Sequence, residues 1–177
     1  MTSEAVTREP TGPAQAISSI ARLLRDAGAL TRGDVAALRR MDPRHPEAAF
    51  FKLEGLVLDE RLPGDAAARS DLETRWAAII IGLAHLGALH HPDHRLGFAL
   101  AAAQFSELRF ARLLRADADR LADELPMLAR FLAAKGESAD WTAAAWLILS
   151  AGCPNEEAVR RHLARDYYGA MARKENL

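Results

Sequence analysis

From Ile17 almost to the C-terminus, apolar residues recur every three or four positions. That period places them on one stripe of an α-helix, whereas a half-buried strand would alternate them. No sustained alternation occurs, and no Asn-Gly or Asp-Gly pair marks a hairpin. The chain therefore reads as all-α, a helical bundle of about eight or nine helices. Ile17, Ile20, Leu23 and Leu24 share the face of a first helix, which stops near Gly28. Thr31 can cap a second helix carrying Val35, Leu38 and Met41. Pro46 suits the first turn of a third, with Phe50, Phe51, Leu53 and Leu56.

Leu62 to Asp65 reads as a loop, and Asp71 as the start of the longest helix, through Trp76, Ile79, Ile80, Leu83 and Leu86. A short helix spans Arg95 to Ala103. Ser106 caps the next, through Leu113 and Leu114. Asp119 opens another through Leu121, Leu125, Leu128 and Leu132, where Pro126 predicts a break or kink. Asp140 caps a helix bearing Trp141, Ala145 and Trp146, and Asn155 caps the last. Residues 1–12 are polar, hold Pro10 and Gly12, and read as a disordered tail. The interruption at His90 to His94, with Pro92, suggests one bundle over 13–94 and a second over 95–171. A single compact domain is the alternative.

At 177 residues and 50% hydrophobic composition, the chain can bury a substantial core. Its apolar run from Trp76 to Leu89 falls short of the ~18 residues of a membrane span. The first residues have no apolar secretory stretch. Cys153 is the lone cysteine, so no intramolecular disulfide can form. These features point to a cytoplasmic protein without membrane contact.

Arginine outnumbers lysine twenty to three at a formal net charge of −1. GC-rich coding favours Ala and Arg together, so composition alone carries no function; position must. The clearest placement is Ser106-Glu107-Leu108-Arg109-Phe110-Ala111-Arg112-Leu113-Leu114-Arg115. At about 100° per residue, Phe110, Leu113 and Leu114 cluster within ~100°. Arg109, Arg112 and Arg115 span ~120° on the opposite side. A planar guanidinium fork fits phosphate, and such a stripe on a rigid helix can contact a nucleic-acid backbone. The plainer reading is a solvated face. Arg39 and Arg40 follow Val35 and Leu38 in the same manner.

Other chemistry has less to build on. His85, His90, His91 and His94 suggest a metal, but Pro92 spoils the helical spacing of His90 and His94, and no HExxH pattern occurs. No Gly-rich phosphate loop and no GxSxG is present. Asp123-Glu124 and Glu156-Glu157 are sequence neighbours, splayed by about 100° on a helix, and read as solubility charges. Neither a catalytic residue nor a cofactor is expected. Trp141, Trp146, Phe105 and Phe131 could stack bases but sit at core spacing.

Four segments in order carry a resemblance. They are Gly33-Asp34-Val35-Ala36-Ala37-Leu38-Arg39-Arg40 with Pro46 and Ala49-Phe50-Phe51-Lys52-Leu53; Leu96-Gly97 through Ser106 to Asp117; Leu128-Ala129-Arg130-Phe131-Leu132 with Asp140-Trp141; and Arg165-Asp166-Tyr167-Tyr168. Together they cover roughly residues 30 to 168 and resemble the CasB family, the small subunit of the type I-E CRISPR surveillance complex, Cascade. The resemblance implies an all-α protein of antiviral defence, without enzymatic activity. It implies head-to-tail self-association and contacts with the large subunit, the backbone subunits, crRNA and target DNA, including the displaced strand. Arg39, Arg40, Lys52, Arg109, Arg115 and Arg130 fall where the family tends to carry basic residues; Arg112 extends the stripe by geometry alone. In such complexes guide pairing supplies sequence specificity and protein supplies backbone contacts. Leu108 departs from the pattern, standing where some members carry another Arg, and the net charge is slightly acidic. The alternative is a helical protein–protein adaptor without nucleic-acid binding.

Overall fold

The computed structural model describes residues 12–26 and 28–175, so residues 1–11 of the expected tail lie outside the described residues. Nine α-helices occur among the described residues, and no strand. They are α1 (Pro13–Arg25), α2 (Arg32–Arg40), α3 (Ala48–Leu53), α4 (Ala66–Leu86), α5 (Leu96–Ala102), α6 (Glu107–Arg115), α7 (Ala118–Lys135), α8 (Thr142–Leu149) and α9 (Glu156–Glu175). A π-helical turn over Glu54–Leu58 and a 3-10 turn over Asp59–Arg61 continue α3.

Side-chain caps explain the starts of α2, α4, α6 and α7. The Thr31 hydroxyl accepts the Asp34 N–H at 3.0 Å while the Asp34 carboxylate accepts the Thr31 N–H at 2.8 Å, a reciprocal capping box. The Ser106 hydroxyl accepts the Arg109 N–H at 3.4 Å, as its position predicts. Four starts differ from the sequence expectation: Pro46 lies outside α3, whose N-cap is Glu47, and α8 begins at Thr142 with Trp141, not Asp140, at its N-cap. α4 begins after Asp65, whose carboxylate accepts the Ala68 N–H at 2.9 Å. Its first turns are polar, so apolar spacing reveals only the later part, and Asp71 pairs within the helix with Arg75 at 2.9 Å. α7 begins after Asp117, which accepts the Arg120 N–H at 2.9 Å. Pro126 does not break α7. The ring removes one helical hydrogen bond. Leu121, Leu125, Leu128 and Leu132 are all buried along the helix and hold it through that position.

The core is organised around α4. From Trp76 to Leu86 almost every side chain is buried, as expected of a helix apolar on all sides. Its most extensive partner is α7, followed by α2. The sequence run from Trp76 to Leu89 is short, but the helical stretch that carries it, residues 66–89, is long and apolar enough to cross a membrane by length and composition; 56% of its apolar window is buried inside the fold. Gly82 makes room for Trp141: a Cβ there would overlap the indole. The indole N–H in turn donates to the Ile79 carbonyl at 3.0 Å. The segments around His90 and Ala139 run side by side, with Ala139 N–H donating to Leu89 O at 2.9 Å and His91 N–H to Ala139 O at 3.1 Å.

α5 and α9 form the second close pair. At Gly97 a Cβ would lie 2.7 Å from the Tyr167 backbone nitrogen, so this approach requires glycine. Tyr167 carries the contact on to α6. Its ring stacks on Phe110 with centroids 3.8 Å apart, and its hydroxyl donates to Phe105 O at 2.5 Å. The anchor of α6 is therefore a buried aromatic pair.

Candidate nucleic-acid interface

Cations divide by what their donors meet. One group is used by the fold. A helix leaves its last carbonyls without intrahelical partners, and a cation nearby can satisfy them and favour the helix dipole. Arg75 donates to Ile148 O at 3.0 Å and Ala151 O at 2.9 Å, closing α8. Arg160 donates to Ala116 O at 2.9 Å, at the end of α6, and pairs with Glu156. Lys174 donates to Ala101 O at 2.8 Å, at the end of α5. Arg39 donates through Nε to Ala84 O at 2.7 Å, in the last turn of α4.

Other cations in this group hold carboxylates. Arg44 grips α7, reaching Asp123 at 2.6 Å and Asp119 at 2.8 Å. Asp123, read from sequence as a solubility charge, is thus a partner. Arg69 joins Glu54 of the π turn to Asp59 and to Glu73 of α4. Lys52 pairs with Asp34 at 2.8 Å. That ammonium, then the Thr31 N–H and hydroxyl, hold the Asp34 carboxyl down at about 2.

Arg109, Arg112 and Arg115 form the contrasting group. Phe110 and Leu113 are buried, which turns the three arginines outward, and all three are exposed. Among the described residues, their guanidinium groups form no hydrogen bond or ion pair. Leu108 lies on the same helix with 73% of its surface exposed. Arg109 and Arg112 also border a groove of about 320 Å³ between α6 and α7. Buried Leu113 and Leu128 and half-buried Phe105 and Phe131 provide its apolar surface, with exposed Met127 and the Glu124 carboxylate completing the lining. Phe105 and Phe131 meet edge to face, centroids 5.3 Å apart.

The remaining predicted residues lie elsewhere. Arg130 and Arg39 approach His85 from α7 and α2. Burial first, then the Arg130 charge, pushes the His85 imidazole below its ordinary value, with the Arg39 charge adding to the effect. His85 Nε2 lies 3.1 Å from Arg39 O. Arg40, beside them in sequence, is exposed and without a partner among the described residues. Arg39, Arg130 and His85 thus form one cluster, Arg109, Arg112 and Arg115 another, and Lys52 sits apart in its ion pair.

The histidine-rich loop is tied to the fold. His90 is buried and its Nδ1 accepts the Trp141 N–H at 3.2 Å. Burial pushes its imidazole below the ordinary 6.5. The His91 and His94 rings lie 4.5 Å apart. Among the described residues no group of three or more His, Cys, Asp or Glu converges as a cation site. Sequence reasoning missed the clamp at Arg44, which joins segments 75 residues apart, and the groove, which depends on how the consecutive helices α6 and α7 pack. The spacing of Met127 and Phe131, one helical turn apart, is the one local sign of the groove.

The family profile of CRISPR-associated protein Cse2 matches residues 34–168. Among solved structures, the crystal structure of M. ruber CasB is similar, with a TM-score of 0.67 and 19% identity over 92% of this chain and 98% of that one. At that identity the likeness is one of fold. No curated protein gives a significant match.

Proposed function

The chain belongs to the CRISPR-associated Cse2 family, whose members are non-catalytic Cascade subunits of CRISPR defence, and from that premise we propose that it binds nucleic acid within the complex. It holds target DNA, including the displaced strand, through phosphate contacts and so favours the R-loop. Its further partners are the crRNA, the large subunit, the backbone subunits and a second copy of itself, head to tail, in the cytoplasm. It performs no catalysis.

The unpartnered arginine face of α6 carries this reading. A guanidinium already bonded to a carbonyl or carboxylate has fewer donors left for phosphate, whereas Arg109, Arg112 and Arg115 keep theirs. Arg40 and Arg130 add exposed charge, while Arg39 and Lys52 contribute less because each has a partner within the fold. A small number of such contacts is enough. R-loop formation nearly balances duplex lost against heteroduplex gained, so modest protein contacts tip it. The near-neutral net charge fits a local patch.

The test is a titration of the purified protein with single- and double-stranded DNA at two salt concentrations, beside the Arg109→Glu/Arg112→Glu variant. The wild type should bind without sequence preference and lose affinity steeply as salt rises, through counterion release. The variant should bind at least about tenfold more weakly and show a salt slope reduced by roughly two. Equal binding by both proteins at low salt removes α6 from the interface. Assembly with protein partners in the absence of any nucleic-acid binding favours the adaptor reading.

A further inference from the structure

Phosphate contacts alone do not require the groove beside the arginines. A backbone-binding surface needs donors and exposure; this one also presents two phenyl rings and a half-exposed methionine next to two unpartnered guanidinium groups. We propose that the α6–α7 groove receives one unstacked nucleobase of a single strand, with the adjoining phosphates on Arg109 and Arg112. This rests on the reading of α6 as a nucleic-acid surface and narrows its ligand from any backbone to a single strand with accessible bases. Every base offers a flat apolar face, so aromatic and thioether contacts capture it without reading sequence. The volume of about 320 Å³ lies at the lower end of the roughly 300–1,000 Å³ of small-ligand pockets. That suits a single planar group.

Charge orders the site. Glu124 lines the groove with the two arginines; its carboxylate pairs with Arg120 one turn back at 3.6 Å, which leaves it a weak repulsion for phosphate. Phosphates are thereby favoured on the Arg109 and Arg112 side, where the donors are. The same carboxylate opposes the other chemistry that two arginines attract, an acidic peptide. A docked amphipathic helix would also need a longer apolar groove with anchor sites over two or more turns. A duplex keeps its bases stacked, and opening one costs energy that a single strand has already spent.

The experiment uses the full chain, a labelled single strand of mixed sequence, and a strand of equal length whose sugars carry no bases, both at low salt. The two strands have the same phosphates, so the difference reports base contacts. The wild type should hold the base-bearing strand about tenfold more tightly. Met127→Gln, at an exposed position, and Phe131→Leu, which keeps apolar volume, should each remove at least about threefold of that advantage. Affinity for the base-free strand and the salt slope should stay unchanged. Equal affinity of the wild type for the two strands overturns the base site and leaves the arginine reading intact. So does an advantage that survives in both folded variants. No binding of either strand at low salt overturns the arginine reading and the base site with it. Tighter binding of a polyglutamate probe than of either strand overturns both in favour of an acidic protein partner.

Discussion

Arg39 and Arg109 each sit on a short amphipathic helix of nine residues, beside buried leucine or phenylalanine, yet their guanidinium groups meet different surroundings. Arg39 leans on the end of α4 and gives its Nε proton to Ala84 O. Nearby, Lys52 is taken by Asp34 and Arg44 by α7. Arg109, Arg112 and Arg115 leave the surface of α6 with no partner among the described residues. The same residue type therefore does two jobs: it terminates helices and joins segments around α2, α3 and α4, and it stays open to ligands on α6. Charge in the sequence is not the same as charge available at the surface.

Substitutions can break that comparison. The largest stability effect is expected at Arg75. Arg75→Met strips the donors from Ile148 O and Ala151 O and should cost about 2–3 kcal/mol. Thermal melting should fall by roughly 5–10 °C, with the salt slope of DNA binding unchanged. A melting temperature equal to wild type would mean that water replaces the arginine at no cost.

A matched pair sharpens the contrast. Arg39→Gln should lose about 1 kcal/mol in chemical denaturation because Ala84 O loses a charged donor. Arg112→Gln should stay within about 0.5 kcal/mol of wild type but lower the salt slope by roughly one. Reversed outcomes would exchange the two roles.

The fold-bound side of the molecule also has a pH limit. His90 must be neutral for Nδ1 to accept the Trp141 N–H, and burial holds its imidazole below 6.5. The unfolded chain therefore takes up this proton first as pH falls. The stability tied to neutral His90 is complete above about pH 6.5 and is lost as pH drops through that value towards the lowered folded one. Denaturation midpoints at pH 7.5 and 5.5 should show the decline, and His90→Asn, an uncharged acceptor, should make it shallower, leaving the share of His85, whose imidazole is also held low.

The smallest effect is expected at Lys52. Asp34 is held down at about 2, chiefly by the Lys52 ammonium, so its stability contribution is present above 3.8 and is lost as pH falls towards 2. Lys52→Gln should make that acid decline shallower, with little change at neutral pH. An identical acid limb would show that the capping box alone sets the Asp34 carboxyl.

Much of the architecture could be read locally. Apolar residues at helical spacing announce the all-α class, and the caps at Thr31 and Ser106 lie where short polar side chains precede apolar periodicity. Polar first turns hid the true starts at Asp65 and Asp117. Pro126 misled because tertiary packing can outweigh a missing backbone hydrogen bond. The outward direction of Arg109, Arg112 and Arg115 also followed from sequence, since Phe110 and Leu113 oblige the opposite face to meet solvent. Which cations remain open did not. Arg39 finds Ala84, Arg44 finds Asp119 and Arg160 finds Ala116 across separations of 45, 75 and 44 residues.

By itself, then, the sequence determined the helices, their buried faces and the arginine stripe, all of which depend on neighbours within one or two turns. Only the tertiary structure decided that Arg39 and Lys52 are spoken for, that Tyr167 braces α6 through Phe110, and that α7 brings Met127 and Phe131 to a groove beside Arg109 and Arg112. Helical periodicity repeats every 3.6 residues and shows which face is turned inward. It says nothing of which distant carbonyl, carboxylate or ring that face will meet, because that depends on how the helices pack.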